Sequence, residues 1–111
     1  MKVGYKTLIE EAEKNIETMS VDEVARLLHD ETVTIVDIRD IRELQREGKL
    51  PGAIHAPRGM LEFWVDPDSP YHRELFSKEK KFVFYCASAW RSALATQTVQ
   101  QMGMNNVCHM S

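Results

Sequence analysis

The chain has 111 residues, 43% of them hydrophobic and 28% charged, with a formal net charge of -3; this suffices for one small domain with its own core and is too short for two. The acidic balance argues against the basic face of a nucleic-acid binder, and no apolar stretch approaches the roughly 18 residues of a membrane helix. The charged, amphipathic start MKVGYKTLIEEAEKN lacks the apolar core of a secretory leader, so a cytoplasmic location is expected, with neither nucleic acid nor membrane as a partner.

Leu8, Ile9, Ala12 and Ile16 recur at helical spacing. Residues 1–15 therefore read as an N-terminal amphipathic helix, and 16–111 as the domain proper. Ile16 to Met19 is a short edge-strand candidate. Ser20 and Glu23 form a capping box that starts a second helix at Val21, with Val24, Ala25, Leu27 and Leu28 on one side and an end near His29. The β-branched run Val33 to Ile38 predicts a strand. Asp40 and Glu43 start another helix, and Gly48 is placed to end it in a left-handed conformation. Leu50-Pro51-Gly52 is a turn before a short strand, Ala53 to Ala56. Met60 to Trp64 and Tyr71 to Phe76 predict short helices around an Asp/Pro-rich loop. Phe82 to Cys86 is an apolar strand, Arg91 to Met102 a helix presenting Leu94, Ala95, Val99 and Met102 inward, Gly103 its stop, and Val107 to Met110 a last strand. Strands alternating with helices through short connections imply an α/β fold: a parallel sheet covered on both faces.

The two cysteines are Cys86 and Cys108, and no metal-ligand spacing is present. Cys108, in an apolar run, reads as a small buried hydrophobe. Cys86 stands where an open α/β sheet places reactive groups: the C-terminal end of a strand, facing a helix N-terminus across a tight loop. Small residues Ala87, Ser88 and Ala89 let the backbone curl around the sulfur, and their N–H groups with those of Trp90 and Arg91 form a candidate anion nest. Such amides and the positive helix end favour a thiolate over a thiol. Arg91 either fixes the loop or helps bind an anion. No histidine adjoins Cys86, which weakens a protease-type pair. Packing alone is the competing reading for a cysteine at a strand end.

Three segments resemble the rhodanese-like domain family: Ile35-Val36-Asp37-Ile38-Arg39-Asp40 with Glu43; Gly48-Lys49-Leu50-Pro51-Gly52-Ala53-Ile54-His55-Ala56-Pro57; and Cys86-Ala87-Ser88-Ala89-Trp90-Arg91-Ser92. The resemblance implies a single α/β domain, its central parallel sheet of about five strands flanked by helices, and a sulfurtransferase that needs no cofactor or metal. Cys86 would take the outer sulfur of a small anionic donor such as thiosulfate as a persulfide, held by the loop Ala87 to Arg91, and a thiol or cyanide acceptor would remove it. Four residues separate Cys86 from Arg91; related cysteine phosphatases use a loop one residue longer. The alternatives are a non-catalytic binding or regulatory module and, less favoured, a phosphatase.

Supporting roles are expected for Asp37, either orienting the loop or capping its own turn, and for Arg58, holding an anionic donor or simply solvated. Trp64 and Trp90 wall the pocket, Trp64 with a core position as its alternative. Arg39 and Glu43 have the (i, i+4) spacing of a helical ion pair, favoured over a substrate contact as the supporting role of Arg39. Two departures stand out. The family's loop often has glycine where Ala89 stands; a positive φ there would strain alanine by on the order of 1 kcal/mol. The family also continues with a C-terminal helix that the sequence up to Ser111 does not supply, so an under-covered face beside the last strand is expected. A second copy in a homo-oligomer would bury it, or the N-terminal helix would fill the gap.

Overall fold

Short strands, each introduced by a cap, a turn or a glycine, form one fully parallel sheet in the computed structural model, which describes residues 1–111. The elements are α1 (Tyr5–Asn15), β1 (Glu17–Met19), α2 (Val21–Ala25), β2 (Val33–Asp37), α3 (Ile41–Glu47), β3 (Ile54–His55), α4 (Leu61–Val65), β4 (Lys81–Tyr85), α5 (Trp90–Gln101) and β5 (Val107–Met110). Tight 3-10 turns at Arg58–Met60 and Glu74–Ser77 complete the chain.

Both capping boxes form: Ser20 with Glu23 opens α2, and Asp40 with Glu43 opens α3. Gly48 ends α3 at φ +76, a conformation that favours glycine. The helix from Val21 is shorter than its pattern suggests, because bonds from Leu27 N–H to Val24 and from Asp30 N–H to Leu27 wind the chain into successive turns after Ala25. The segment Tyr71 to Phe76 also departs from expectation. Only a 3-10 turn forms there, shifted to Glu74–Ser77.

The strand order is β1-β5-β4-β2-β3. On one face, α4 and α5 bury Leu61, Val65, Ala95 and Val99 against Val36, Phe82, Phe84 and Val107. On the other, Val24 of α2 packs with Ile35, Val83, Tyr85 and Cys108. From β2 the chain leaves toward β3, and from β4 it leaves the opposite way toward β5. The neighbouring C-terminal ends of β2 and β4 therefore form a topological switch point, the crevice where open α/β sheets bind ligands.

The last strand is not left bare. Val107, Cys108 and His109 are all buried, and α1 packs on α5, with Ile9 and Ala12 against Ala93 and, at the margin, Leu94. The N-terminal helix is thus part of the packed unit. Lying between α1 and the sheet, α5 buries residues on two sides, while Met102, expected to point inward, falls past the helix end and is largely exposed.

Candidate active site

Cys86 is the first residue after β4, half-buried, in the bend that leads into α5. Its Sγ accepts a hydrogen bond from the Ser92 N–H at 3.4 Å and lies 3.6 Å from the Ser92 hydroxyl oxygen. Ser92 closes the family-like cysteine segment but lies one residue beyond the expected amide nest, Ala87 to Arg91. Its amide is brought back to the sulfur by the first turn of α5, which local composition does not reveal. The amides of Ala87 to Arg91 bond to no other group of the chain, so they are free donors at the head of a twelve-residue helix. Ala87 and Ser88 are exposed. Ala89 adopts φ +68 and ψ 0 in the left-handed region, the only non-glycine residue to do so.

A cavity of about 270 Å³ opens beside the sulfur, lined by Cys86, Tyr85, Arg39 and the segment Glu47 to Leu50. Arg39 is held in its wall by Asp37, which lies behind it and does not line the cavity. Asp37 is wholly buried and Arg39 is 6% exposed. The Arg39 guanidinium donates to Asp37 at 2.8–3.1 Å and to the Gly48 carbonyl at 2.7 Å, while its backbone N–H caps Asp37 Oδ1 at 3.0 Å. Burial alone would raise the Asp37 carboxyl, but hydrogen bonds from the Arg39 side chain, the Tyr85 side chain and the Arg39 amide hold it below its ordinary value. Asp37 therefore caps its own turn and anchors Arg39, and makes no bond to the cysteine loop. Tyr85, pushed up to about 12 chiefly by burial, accepts from the Leu50 N–H at 3.0 Å and ties the Gly48–Gly52 turn to β4.

The expected Arg39–Glu43 pair does not form. Arg39 precedes the cap of α3, in a bend outside the helix, so helical (i, i+4) geometry is unavailable; its second acidic neighbour is Glu47, at 3.5 Å. Glu43 instead receives Arg91, through two bonds of 2.7 and 3.0 Å. That fork clamps the head of α5 to α3 and places Arg91 as a support of the loop.

Three expected pocket residues lie elsewhere. Arg58 sits after β3 at the correct end of the sheet, its N–H bonded to the Ile38 carbonyl, but its guanidinium pairs with Glu62 at 2.7 Å and lines no part of the Cys86 cavity. Trp64 packs against the core under the Arg73 guanidinium, 4.1 Å from its ring. Trp90 is 52% exposed and packs against Tyr5 in a tilted pair, ring centroids 5.0 Å apart. A larger cavity, about 480 Å³, between Val65, Phe76 and Met104 touches none of these groups. Cys108 is fully buried, and that burial pushes its thiol up to about 11, against the pull of Lys81; it is a packing residue.

The model of the rhodanese-like domain family matches residues 20–111. This chain belongs to that family. The human thiosulfate:glutathione sulfurtransferase is 30% identical to this rhodanese-like chain over 92 residues, covering 78% of this chain and 79% of its own. The mouse thiosulfate sulfurtransferase/rhodanese-like domain-containing protein 3 is 29% identical over 92 residues, covering 78% of this chain; the match spans 59% of the mouse protein's length. Among solved structures, a protein of unknown function from Rhodopseudomonas palustris, described as a possible tyrosine phosphatase, superposes with a TM-score of 0.96 at 48% identity, covering 100% of this chain and 86% of that one. The matched family region begins at the cap of α2, so α1, whose Tyr5 reaches Trp90, lies outside it. No helix is long and apolar enough to cross a membrane.

Proposed function

We propose that this rhodanese-like chain is a cytoplasmic sulfurtransferase that carries sulfane sulfur as a persulfide on Cys86. The observation that carries the reading is the sulfur itself: it stands at the sheet's switch point, bonded by the Ser92 amide, at the head of a helix with five free N–H groups. The Cys86 thiolate attacks the outer sulfur of a small anionic donor such as thiosulfate. The donor's sulfur–sulfur bond breaks, sulfite leaves with the bonding pair, and Cys86 holds the sulfur as a persulfide anion. A thiolate or cyanide then attacks that outer sulfur, departs as an organic persulfide or thiocyanate, and returns the Cys86 thiolate. No net oxidation occurs, and double displacement gives ping-pong kinetics. The free loop amides and the helix end supply stabilisation where the negative charge sits; Arg39 is paired with Asp37 and Glu47, so Lys49 is the cation of the cavity lining without a carboxylate partner and the one placed to attract the donor.

A second reading, phosphatase, draws on the description of the Rhodopseudomonas protein. Against it stands the loop: four residues between Cys86 and Arg91 make a narrower cradle than a tetrahedral phosphate asks for. Intact-mass measurement after thiosulfate treatment separates the two. The expected result is a gain of one sulfur atom, lost in Cys86→Ser, kept in Cys108→Ser, and discharged by cyanide. A folded protein that takes up no sulfur but releases phosphate from an aryl phosphate in a Cys86-dependent way overturns the proposal. A folded protein that does neither points to a binding module.

A further inference from the structure

Behind the sulfur, away from the cavity, runs a line of polar groups that the proposed transfer does not use. The Ser92 hydroxyl oxygen is 3.6 Å from Cys86 Sγ and 2.9 Å from His109 Nδ1. His109 Nε2 is in turn 3.2 Å from the Thr18 hydroxyl oxygen. Ser92 and His109 are completely buried, and Thr18, on the exposed edge strand, is the cross-strand partner of His109. Burial lowers His109 below its ordinary value, against the opposing charge of Glu13 on α1, so the ring is neutral, with one N–H and one lone pair.

That count ties the directions of the two bonds together, so the donor at one ring nitrogen decides the role of the other. With Thr18 donating to Nε2, the ring hydrogen sits on Nδ1 and is donated to Ser92. The lone hydroxyl proton of Ser92 is then left for the sulfur. In the other tautomer, Nδ1 takes the Ser92 proton and the sulfur meets oxygen lone pairs, which an anion avoids. The Ala89 carbonyl, 3.3 Å from the Ser92 hydroxyl, competes for the same proton. We propose that His109 is a positioning residue that, held by Thr18 and acting through Ser92, aims a hydroxyl proton at the Cys86 sulfur whenever that sulfur is anionic. The persulfide half of this role rests on the sulfurtransferase reading; the thiolate half does not.

The test is the pH dependence of Cys86 alkylation by iodoacetamide in a Cys108→Ser background. The charged groups around the sulfur (Arg39, Glu47 and Lys49 at the cavity, Arg91 with Glu43 across the loop) are the same in every protein compared. A hydrogen bond to a charged group lost in His109→Phe or Ser92→Ala raises the alkylation midpoint by about one pH unit, roughly tenfold less thiolate below it. Thr18→Val, a surface change that frees the tautomer, raises it in the same direction by a smaller step. His109→Asn, whose amide can donate near the place of Nδ1, restores most of the wild-type midpoint. If His109→Phe does not fold, Ser92→Ala and Thr18→Val carry the test. Equal midpoints across the folded variants overturn the proposal, and if thiosulfate still loads sulfur onto them, the sulfurtransferase reading stands without it. A raised midpoint in a protein that accepts no sulfur supports the directed hydrogen bond and removes the reading.

Discussion

A left-handed backbone costs an alanine on the order of 1 kcal/mol more than a glycine, and Ala89 carries that conformation at the N-cap of α5. The position has no side-chain cap to offset it; it is held because Ala93 N–H bonds to its carbonyl and starts the helix. Ala89→Gly is expected to raise unfolding stability by at most about 0.5 kcal/mol in urea titration, because the relief of strain is offset in part by the glycine's extra unfolded-state freedom, about 0.4–1 kcal/mol. A lowered midpoint would show that the loop gains more from alanine's stiffness than it loses to strain. The glycine that often stands here in the family singles the residue out in the sequence, whereas the sign of its φ is set by the fold around the loop. Asp37 makes a second residue-scale case. Its carboxyl is held below its ordinary value, so the folded chain binds that proton less readily than the unfolded chain. The associated stability is complete above about pH 4 and is lost as pH falls through the lower, folded-state value. Asp37→Asn leaves the buried Arg39 guanidinium without its charge partner and should cost about 3 kcal/mol at neutral pH. The same change should flatten the acid limb of a stability–pH curve. An acid limb unchanged in the variant would assign the acid sensitivity to other carboxylates.

Elements whose signals are local formed where the pattern placed them. Both capping boxes, the Gly48 stop and the β-branched run of β2 are settled by neighbours in sequence, and each appears within a residue or two of expectation. Helix α5 is the instructive exception. A helix with one buried stripe announces itself by periodicity, but α5 is buried by the sheet through Ala95 and Val99 and by α1 through Ala93. Its apolar positions therefore follow no single stripe, and Met102 is misassigned inward. The contact with α1 is also testable. Ile9 is 8% exposed and packs against Ala12 and Ala93, so Ile9→Ala should cost about 2 kcal/mol by thermal or urea unfolding. A cost near zero would mean that α1 is only loosely docked. Because α1 also brings Tyr5 onto Trp90, the same variant should loosen the outer wall of the cysteine loop.

Across the whole molecule, the strand order does most to make a site. The reversal between β2 and β4 puts the ends of two strands side by side, one bringing Asp37 and Arg39, the other Tyr85 and Cys86. The turn Gly48–Gly52, hung from Tyr85 and Arg39, closes the cavity's other side. What could be read along the chain was contiguous: the parallel α/β plan, the cysteine loop and the family motifs all lie in runs of a few residues, where backbone preference and short-range hydrogen bonding act. What could not be read is the set of partners that meet across the fold. Glu43 reaches Arg91 over a separation of 48 residues, and Ser92 reaches His109 over 17. Arg58 and Trp64, plausible neighbours of Cys86 by chain position, turn instead to Glu62 and Arg73. The direction of a side chain is set by the register and face of the strands and helices packed around it, and no local pattern contains that information.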